Sequence, residues 1–91
     1  MMNEEVYERI EKELEKNRIN EDVDDVLLEL AEAIQEDGSE KKKTVTVKYG
    51  RIAVEASGHC EPDEEDEEEL YVWMDELVIG KTRIVIEDYV M

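Results

Sequence analysis

The sequence holds one histidine and one cysteine, and the two are adjacent, at His59 and Cys60. A thiol nucleophile needs a base within hydrogen-bonding reach and a donor for the oxyanion. Adjacent side chains on an extended backbone point to opposite sides, so His59 cannot activate the Cys60 thiol. We therefore predict a polar loop around residues 57–60, no catalytic residue and no enzymatic activity.

Metal binding and glycoside hydrolysis are the other chemistries that these residue types raise. One cysteine and one histidine cannot supply the four ligands of a structural zinc site. The carboxylates of residues 61–69 lack the spaced oxygen ligands and the turn glycine of an EF-hand loop. A glycosidase needs aromatic sugar platforms, and the chain has one tryptophan and four tyrosines. We predict no metal and no cofactor.

Charge is the abnormal property of this chain. Its 91 residues include 28 acids and 11 bases, for a net charge of −17, whereas about 2 to 8 units suffice for the solubility of a small domain. Nine acids fall within residues 21–40 and eleven within residues 52–80, and neither stretch contains lysine or arginine. Such a surface repels nucleic acids and anionic membranes, so a basic protein is the expected partner.

Two N-terminal helices are predicted from apolar residues at helical spacing. The first covers residues 4–16, with this apolar side: Val6, Tyr7, Ile10 and Leu14. The second is expected to begin after an N-cap at Asn20 and to run to about Asp37, with Gly38 at the C′ position. Its apolar stripe comprises Val23, Val26, Leu27, Leu30, Ala31 and Ile34.

The second helix carries acids on the side opposite this stripe. They recur at intervals of three and four residues and form what we call the acidic ridge: Asp22, Asp25, Glu29, Glu32 and Glu36. No cation lies within residues 21–40 to offset the repulsion between neighbouring acids. The acidic ridge therefore lowers the stability of the helix.

A β-hairpin is predicted from residues 44–49 and 52–56. Gly50 and Arg51 suit a two-residue type II′ turn, which sets the register of the two strands. The facing pairs are then Tyr49 with Ile52, Val47 with Val54, and Val45 with Ala56. All six residues are apolar and lie on one face, so the turn and the alternation agree.

A second hairpin is predicted around Gly80 and Lys81, from residues 77–79 and 82–86. Extension back through residues 70–74 requires a bulge at residues 75–76. With that bulge Met74 faces Ile86 and Leu70 faces Val90. The alternative is a helix over residues 63–77, because its apolar residues also have helical spacing and the acids suit a helix N-terminus.

These elements predict a single α+β domain over residues 1–91. Two N-terminal helices, in residues 4–37, pack on one face of a small antiparallel sheet in residues 44–90, with an acidic loop at 58–69. The element order is ααββββ, or ααββαβ if the helical alternative holds. One cysteine cannot form an internal disulfide, and we find neither a signal-peptide pattern nor a membrane-spanning apolar run, so we expect a cytoplasmic protein.

The stretch from Asp66 to Tyr71, DEEELY, followed by Met74, resembles the acidic segment of small phage anti-CRISPR proteins. Those proteins block the site at which a CRISPR nuclease reads DNA. The resemblance covers about nine residues. It implies that four side chains bind the arginines with which the nuclease normally contacts the short duplex motif beside its DNA target. These side chains are Asp66, Glu67, Glu68 and Glu69.

We expect a nucleic-acid mimic, in which ordered carboxylates replace phosphates in the basic channel of another protein. The partner would be a CRISPR effector or another host nuclease or DNA-handling protein, in the host cytoplasm if a phage encodes the chain. The predicted contact residues are the acidic ridge together with Asp63, Glu64, Glu65, Asp66, Glu67, Glu68, Glu69, Tyr71 and Trp73. One of the two aromatic residues is expected to fill the core, and the other to lie on the sheet surface.

Two other functions fit the same sequence. The chain could be an interaction module, adaptor or antitoxin-like, in which a sheet edge or the first helix binds and the charge solvates the surface. It could also be an acidic housekeeping domain of an organism adapted to salt or heat. The oligomeric state stays open, a dimer included.

Overall fold

The structure, a computed structural model, describes residues 3–36, 40–65 and 69–90, with the backbone alone for residues 87–90. Two helices, α1 (Glu4–Lys16) and α2 (Val23–Gln35), precede four strands, β1 (Lys43–Tyr49), β2 (Ile52–Pro62), β3 (Leu70–Ile79) and β4 (Thr82–Val90). The strands form one antiparallel sheet in the order β1-β2-β3-β4. This confirms the predicted α+β fold with the order ααββββ, and the helical alternative for residues 63–77 is wrong because Leu70–Ile79 is a strand.

Both helices cover one face of the sheet, and α2 lies over β1 to β3 while α1 lies beside β4. Apolar side chains from the helices and from the inner face of the sheet form one buried core. Its members are Ile10, Leu14, Ile19, Val23, Val26, Leu27, Leu30, Ala31, Ile34, Val54, Ala56, Cys60, Val72, Met74, Leu77, Ile79, Ile84 and Ile86. The opposite face of the sheet, which we call the outer face, is covered by neither helix.

Helix α1 begins at an Asn3 cap, whose side-chain oxygen accepts the backbone N–H of Glu5 at 2.8 Å. It ends in a left-handed turn in which Arg18 has φ of 60° and the N–H of Ile19 donates to the Leu14 carbonyl at 2.8 Å. This is a Schellman motif, a turn that normally carries glycine at its left-handed position. The motif places Ile19 in the core.

The N-cap predicted at Asn20 is wrong, because α2 begins at Val23 and its cap residue is Asp22. Since Ile19 is held in the core, residues 20–22 are needed to carry the chain to the start of the helix. The first helical bond runs from the Val26 N–H to the Asp22 carbonyl at 3.1 Å. The last helical residue is Gln35, and the predicted Asp37 end and Gly38 cap lie outside the described residues.

The first hairpin has the predicted register. Tyr49 pairs with Ile52, and the two further pairs, Val47 with Val54 and Val45 with Ala56, also form as expected. Gly50 has φ of 65° and Arg51 has no positive φ, which is the signature of a type II′ turn. Turn chemistry and face alternation together determined this register.

Strand β2 continues to Pro62, so the polar loop predicted at residues 57–60 is wrong and the acidic loop predicted at 58–69 is shorter. Residues 58 and 60 face α2. A Cβ at Gly58 would overlap the carbonyl oxygen of Trp73 and lie 3.2 Å from Cδ1 of Ile34. The Cys60 thiol is fully buried and donates to the Ile34 carbonyl at 3.6 Å. Small residues thus let α2 approach this half of β2.

The bulge predicted at residues 75–76 is present in β3. Ser57 pairs with Glu76 and Gly58 with Met74, so Asp75 is an extra residue relative to β2. The predicted pairing beyond the bulge is wrong, because Met74 lies opposite Tyr89 rather than Ile86. Trp73 pairs with Val90, so Leu70 cannot pair with that residue. The break in the β3–β4 pairing also includes residues 86–88 of β4, which increases the shift in register between the two strands.

Candidate protein-binding site

All five residues of the acidic ridge are exposed; Asp25, Glu29 and Glu32 lie on α2, and the other two are its N-cap and C-cap residues. The opposite side of the helix is anchored by its buried apolar stripe, which holds the carboxylate-bearing side toward solvent. From residue 22 to residue 36 the helix rises about 21 Å at 1.5 Å per residue. Neighbouring ridge carboxylates are therefore about 5 Å apart along the axis.

One member of the acidic ridge is fixed by the sheet. The Tyr49 hydroxyl, on β1, donates a hydrogen bond of 2.6 Å to Oε2 of Glu29. Burial raises the pKa of Tyr49 above its ordinary value, and the hydrogen bond and charge of Glu29 raise it further. Glu29 is thus oriented by its hydrogen bond with Tyr49.

The C-terminal end of α2 lies against the ends of β2 and β3. Besides the thiol contact of Cys60, the Gln35 side-chain amide donates to the Leu70 carbonyl at 3.3 Å. Glu36, the last residue of the acidic ridge, follows Gln35 directly. The ridge therefore ends at the same end of the molecule as the connection between β2 and β3, residues 63–69.

Asp63 organises that connection. Its N–H donates to the Glu69 carbonyl at 2.9 Å, and its Oδ1 accepts the N–H of Glu65 at 2.9 Å. Its Oδ2 accepts the Tyr71 hydroxyl at 3.0 Å, and this bond, with the Asp63 charge, raises the pKa of Tyr71. Asp63 is half-buried, and these three hydrogen bonds make it a clamp that holds the turn in place.

The other described acids of this connection are exposed: Glu64, Glu65 and Glu69. Within the described part of the chain, none of these three pairs with a lysine or arginine. Three further predicted contact residues, Asp66, Glu67 and Glu68, lie outside the described residues. These are three of the four carboxylates to which the anti-CRISPR resemblance applies.

Tyr71 and Trp73 both lie on the outer face, so the expectation that one of them fills the core is wrong. Residues two apart on a strand share a face, and the core positions of β3 are occupied by Val72 and Met74. The Trp73 ring is parallel to the His59 ring within 8°, with centroids 6.4 Å apart. As expected, His59 and Cys60 point to opposite sides of β2.

A groove of about 450 Å³ lies between these aromatic residues and the turn at residues 63–65. Its apolar wall is formed by Pro62, Tyr71 and Trp73, and the surrounding carboxylates are Glu61, Asp63, Glu64 and Glu65. Sequence reasoning had missed Glu61 and His59. Their signal was strand alternation, because in the observed register Glu61 lies opposite Tyr71 and His59 opposite Trp73.

Two other acids, at the bulge of β3, are paired with cations. Lys42 Nζ lies 3.5 Å from Oδ2 of Asp75, and Arg83 donates to Oε2 of Glu76 through Nε at 2.8 Å and Nη2 at 2.6 Å. These pairs neutralise the bulge of β3.

Neither described helix is long and apolar enough to cross a membrane. Among residues 3–36, 40–65 and 69–90, no group of three or more histidine, cysteine and acidic side chains is arranged to hold a metal ion. No protein-family model matches the chain, and comparison with curated proteins and with solved structures finds no match.

Proposed function

We propose that the protein is a nucleic-acid mimic that inhibits by occupying the basic DNA- or RNA-binding channel of another protein. The observation that supports this proposal most is the acidic ridge. It presents five exposed carboxylates, about 5 Å apart, on a helix whose other side is buried. One strand of a DNA duplex presents a charge about every 3.4 Å, so the ridge has a comparable linear charge density.

The proposed partner carries an array of arginine and lysine side chains. Arginine pairs with a carboxylate through two parallel hydrogen bonds, much as it does with a phosphate. A CRISPR effector or another host nuclease or DNA-handling protein has such a channel. Under this proposal a phage or mobile element encodes the chain, which acts in the host cytoplasm by binding alone, without a catalytic step.

Displacement of DNA tests the proposal. Purified CRISPR nucleases and other DNA-handling proteins would be loaded with labelled duplex, and the chain would be titrated as competitor at several salt concentrations. We expect displacement to weaken steeply as salt rises, because exposed charges are screened beyond about 10 Å at 0.1 M salt. Displacement that is insensitive to salt would contradict the proposal.

A matched pair of variants separates position from total charge. The ridge variant carries Asp25→Asn, Glu29→Gln and Glu32→Gln. The control carries Glu8→Gln, Glu11→Gln and Glu15→Gln, which removes the same charge from exposed positions of α1. We expect the ridge variant to lose displacement activity at least tenfold more than the control. Equal losses would mean that only net charge matters.

A second candidate function is supported by apolar exposure on the outer face. Tyr71, on β3, is 42% exposed, and Val85, on β4, is 52% exposed. Exposed apolar residues on an uncovered face are a feature of interaction modules. For that function, alanine at Tyr71 would abolish partner binding, whereas the ridge variant would leave it intact.

A further inference from the structure

We propose that the groove between the turn at residues 63–65 and the aromatic residues of β3 binds an arginine side chain of the partner. This inference deepens the proposed function, and it rests on that function for the partner's identity. The binding chemistry of the groove can be tested separately. The occupant follows from the shape, the wall composition and the charge of the groove.

The wall of the groove favours a flat cation. Tyr71 and Trp73 are two residues apart on β3 and therefore lie side by side on the outer face, with Pro62 adjoining them. Aromatic faces attract cations, and a guanidinium group also stacks on them as a plane. An ammonium group is more strongly hydrated and has no planar face, so lysine gains less from the same wall.

The rim of the groove favours a donor-rich cation. Glu61, Glu64 and Glu65 surround the aromatic wall, and Glu64 and Glu65 are exposed with no cationic partner among the described side chains. Arginine has five N–H donors, which fit two carboxylates at once. An anionic or apolar occupant would leave the carboxylates of Glu64 and Glu65 repelled or desolvated without compensation, whereas Glu61 Oε1 already lies within hydrogen-bonding distance of His59 Nε2, at 3.1 Å.

The groove is also built in advance of binding. Asp63 closes the turn through the Glu69 carbonyl, positions Glu65 through its N–H, and holds the Tyr71 hydroxyl. The His59 ring, on the neighbouring strand, lies parallel to the Trp73 ring with centroids 6.4 Å apart. A pre-organised site loses less conformational entropy when it binds, which raises its affinity for a single side chain.

Trp73 is the only tryptophan in the chain, so its fluorescence reports on the groove directly. Hexa-arginine and hexa-lysine peptides, which have equal formal charge, would be titrated at a fixed salt concentration of about 0.15 M, where the screening length is about 8 Å. We expect hexa-arginine to change the Trp73 emission and to bind about tenfold more tightly than hexa-lysine, as expected for a stacked and partly desolvated cation. An emission that stays constant while calorimetry shows saturation would overturn the inference.

Variants locate the bound peptide. Tyr71→Leu should weaken hexa-arginine binding about threefold to tenfold and reduce its preference over hexa-lysine. The pair Glu64→Gln and Glu65→Gln should weaken it more than the equally charged pair Glu8→Gln and Glu11→Gln on α1. If both pairs have equal effects and arginine has no advantage, the groove is not an arginine site.

The two proposals fail in different experiments. Loss of the arginine preference, with DNA displacement still dependent on the acidic ridge, refutes the groove inference and leaves the mimic proposal standing. DNA displacement that is absent or indifferent to the ridge, together with an intact arginine preference at the groove, refutes the mimic proposal alone.

Discussion

Replacement of Gly58 by alanine is the sharpest test of the packing that forms the groove. A Cβ at this position would overlap the Trp73 carbonyl oxygen on β3 and press on Ile34 of α2. Both neighbours are held, the first by the sheet and the second by the core. The strands must therefore separate at this point, which disturbs the backbone that carries Trp73.

The expected cost follows from these contacts. Overpacking of a filled core costs about 1–3 kcal/mol, and a weakened ladder hydrogen bond costs about 1 kcal/mol more. We expect Gly58→Ala to lower the free energy of unfolding by about 3 kcal/mol, out of a total of about 5–14 kcal/mol for a chain of 91 residues. The melting temperature should fall by about 12–24 °C.

The assay is urea denaturation followed by circular dichroism and by Trp73 fluorescence. Gly50→Ala is the matched control, because its Cβ would meet no atom within 4 Å and only the positive φ of 65° is disfavoured. We expect the control to cost about 1 kcal/mol. If Gly58→Ala is as stable as Gly50→Ala, then close packing of α2 against β2 does not require a small residue at position 58.

Three further changes test the turns and the tyrosine contacts. Arg18→Gly should raise the free energy of unfolding by about 0.5–1 kcal/mol, because glycine adopts the left-handed conformation without strain; thermal melts would check this, and a loss of stability would contradict it. Tyr49→Phe should cost about 0.5–1 kcal/mol at neutral pH through loss of the hydrogen bond to Glu29. Folding raises the pKa of Tyr49, so the stability that its hydroxyl contributes is complete below pH about 10, the pKa in the unfolded chain. That stability is lost as the pH rises from there through the pKa in the folded protein, and the stabilities of the wild type and the variant should converge over this rise. Asp63→Ala should lower the pKa of Tyr71 toward its ordinary value, and ultraviolet titration against Tyr71→Phe would detect the change; an unaltered titration would refute the role of Asp63 as a clamp.

Local patterns predicted much of the fold. The bounds of α1 and the register of the first hairpin followed from helical spacing and from a glycine turn, both of which act within a few residues. The start of α2 did not, because Ile19 must reach the core before the helix can begin. The second half of β2 was missed because its core-facing residues, Gly58 and Cys60, are small and give no apolar alternation.

The candidate site was likewise predicted only in part from the sequence. The acidic ridge follows from a three-and-four spacing along one helix, and its exposure needed only the apolar stripe on the other side. The common face of Tyr71 and Trp73 also follows from strand alternation, although the sequence reasoning assigned the two residues to different environments. The position of Asp63 as a clamp had no local signal, because its partners lie two, six and eight residues away.

The amino-acid sequence by itself determined the charge, the helical presentation of the acidic ridge and the order of the first four elements, because each depends on composition or on short periodic patterns. The structure decided that residues 70–79 form a strand rather than a helix. Only the tertiary structure decided the groove. The pairing of β2 with β3 brings Glu61 beside Tyr71 and His59 beside Trp73, and a Cβ at Gly58 would overlap the Trp73 carbonyl oxygen within that pairing. Contacts between residues distant in the chain are set by packing, which no local period encodes.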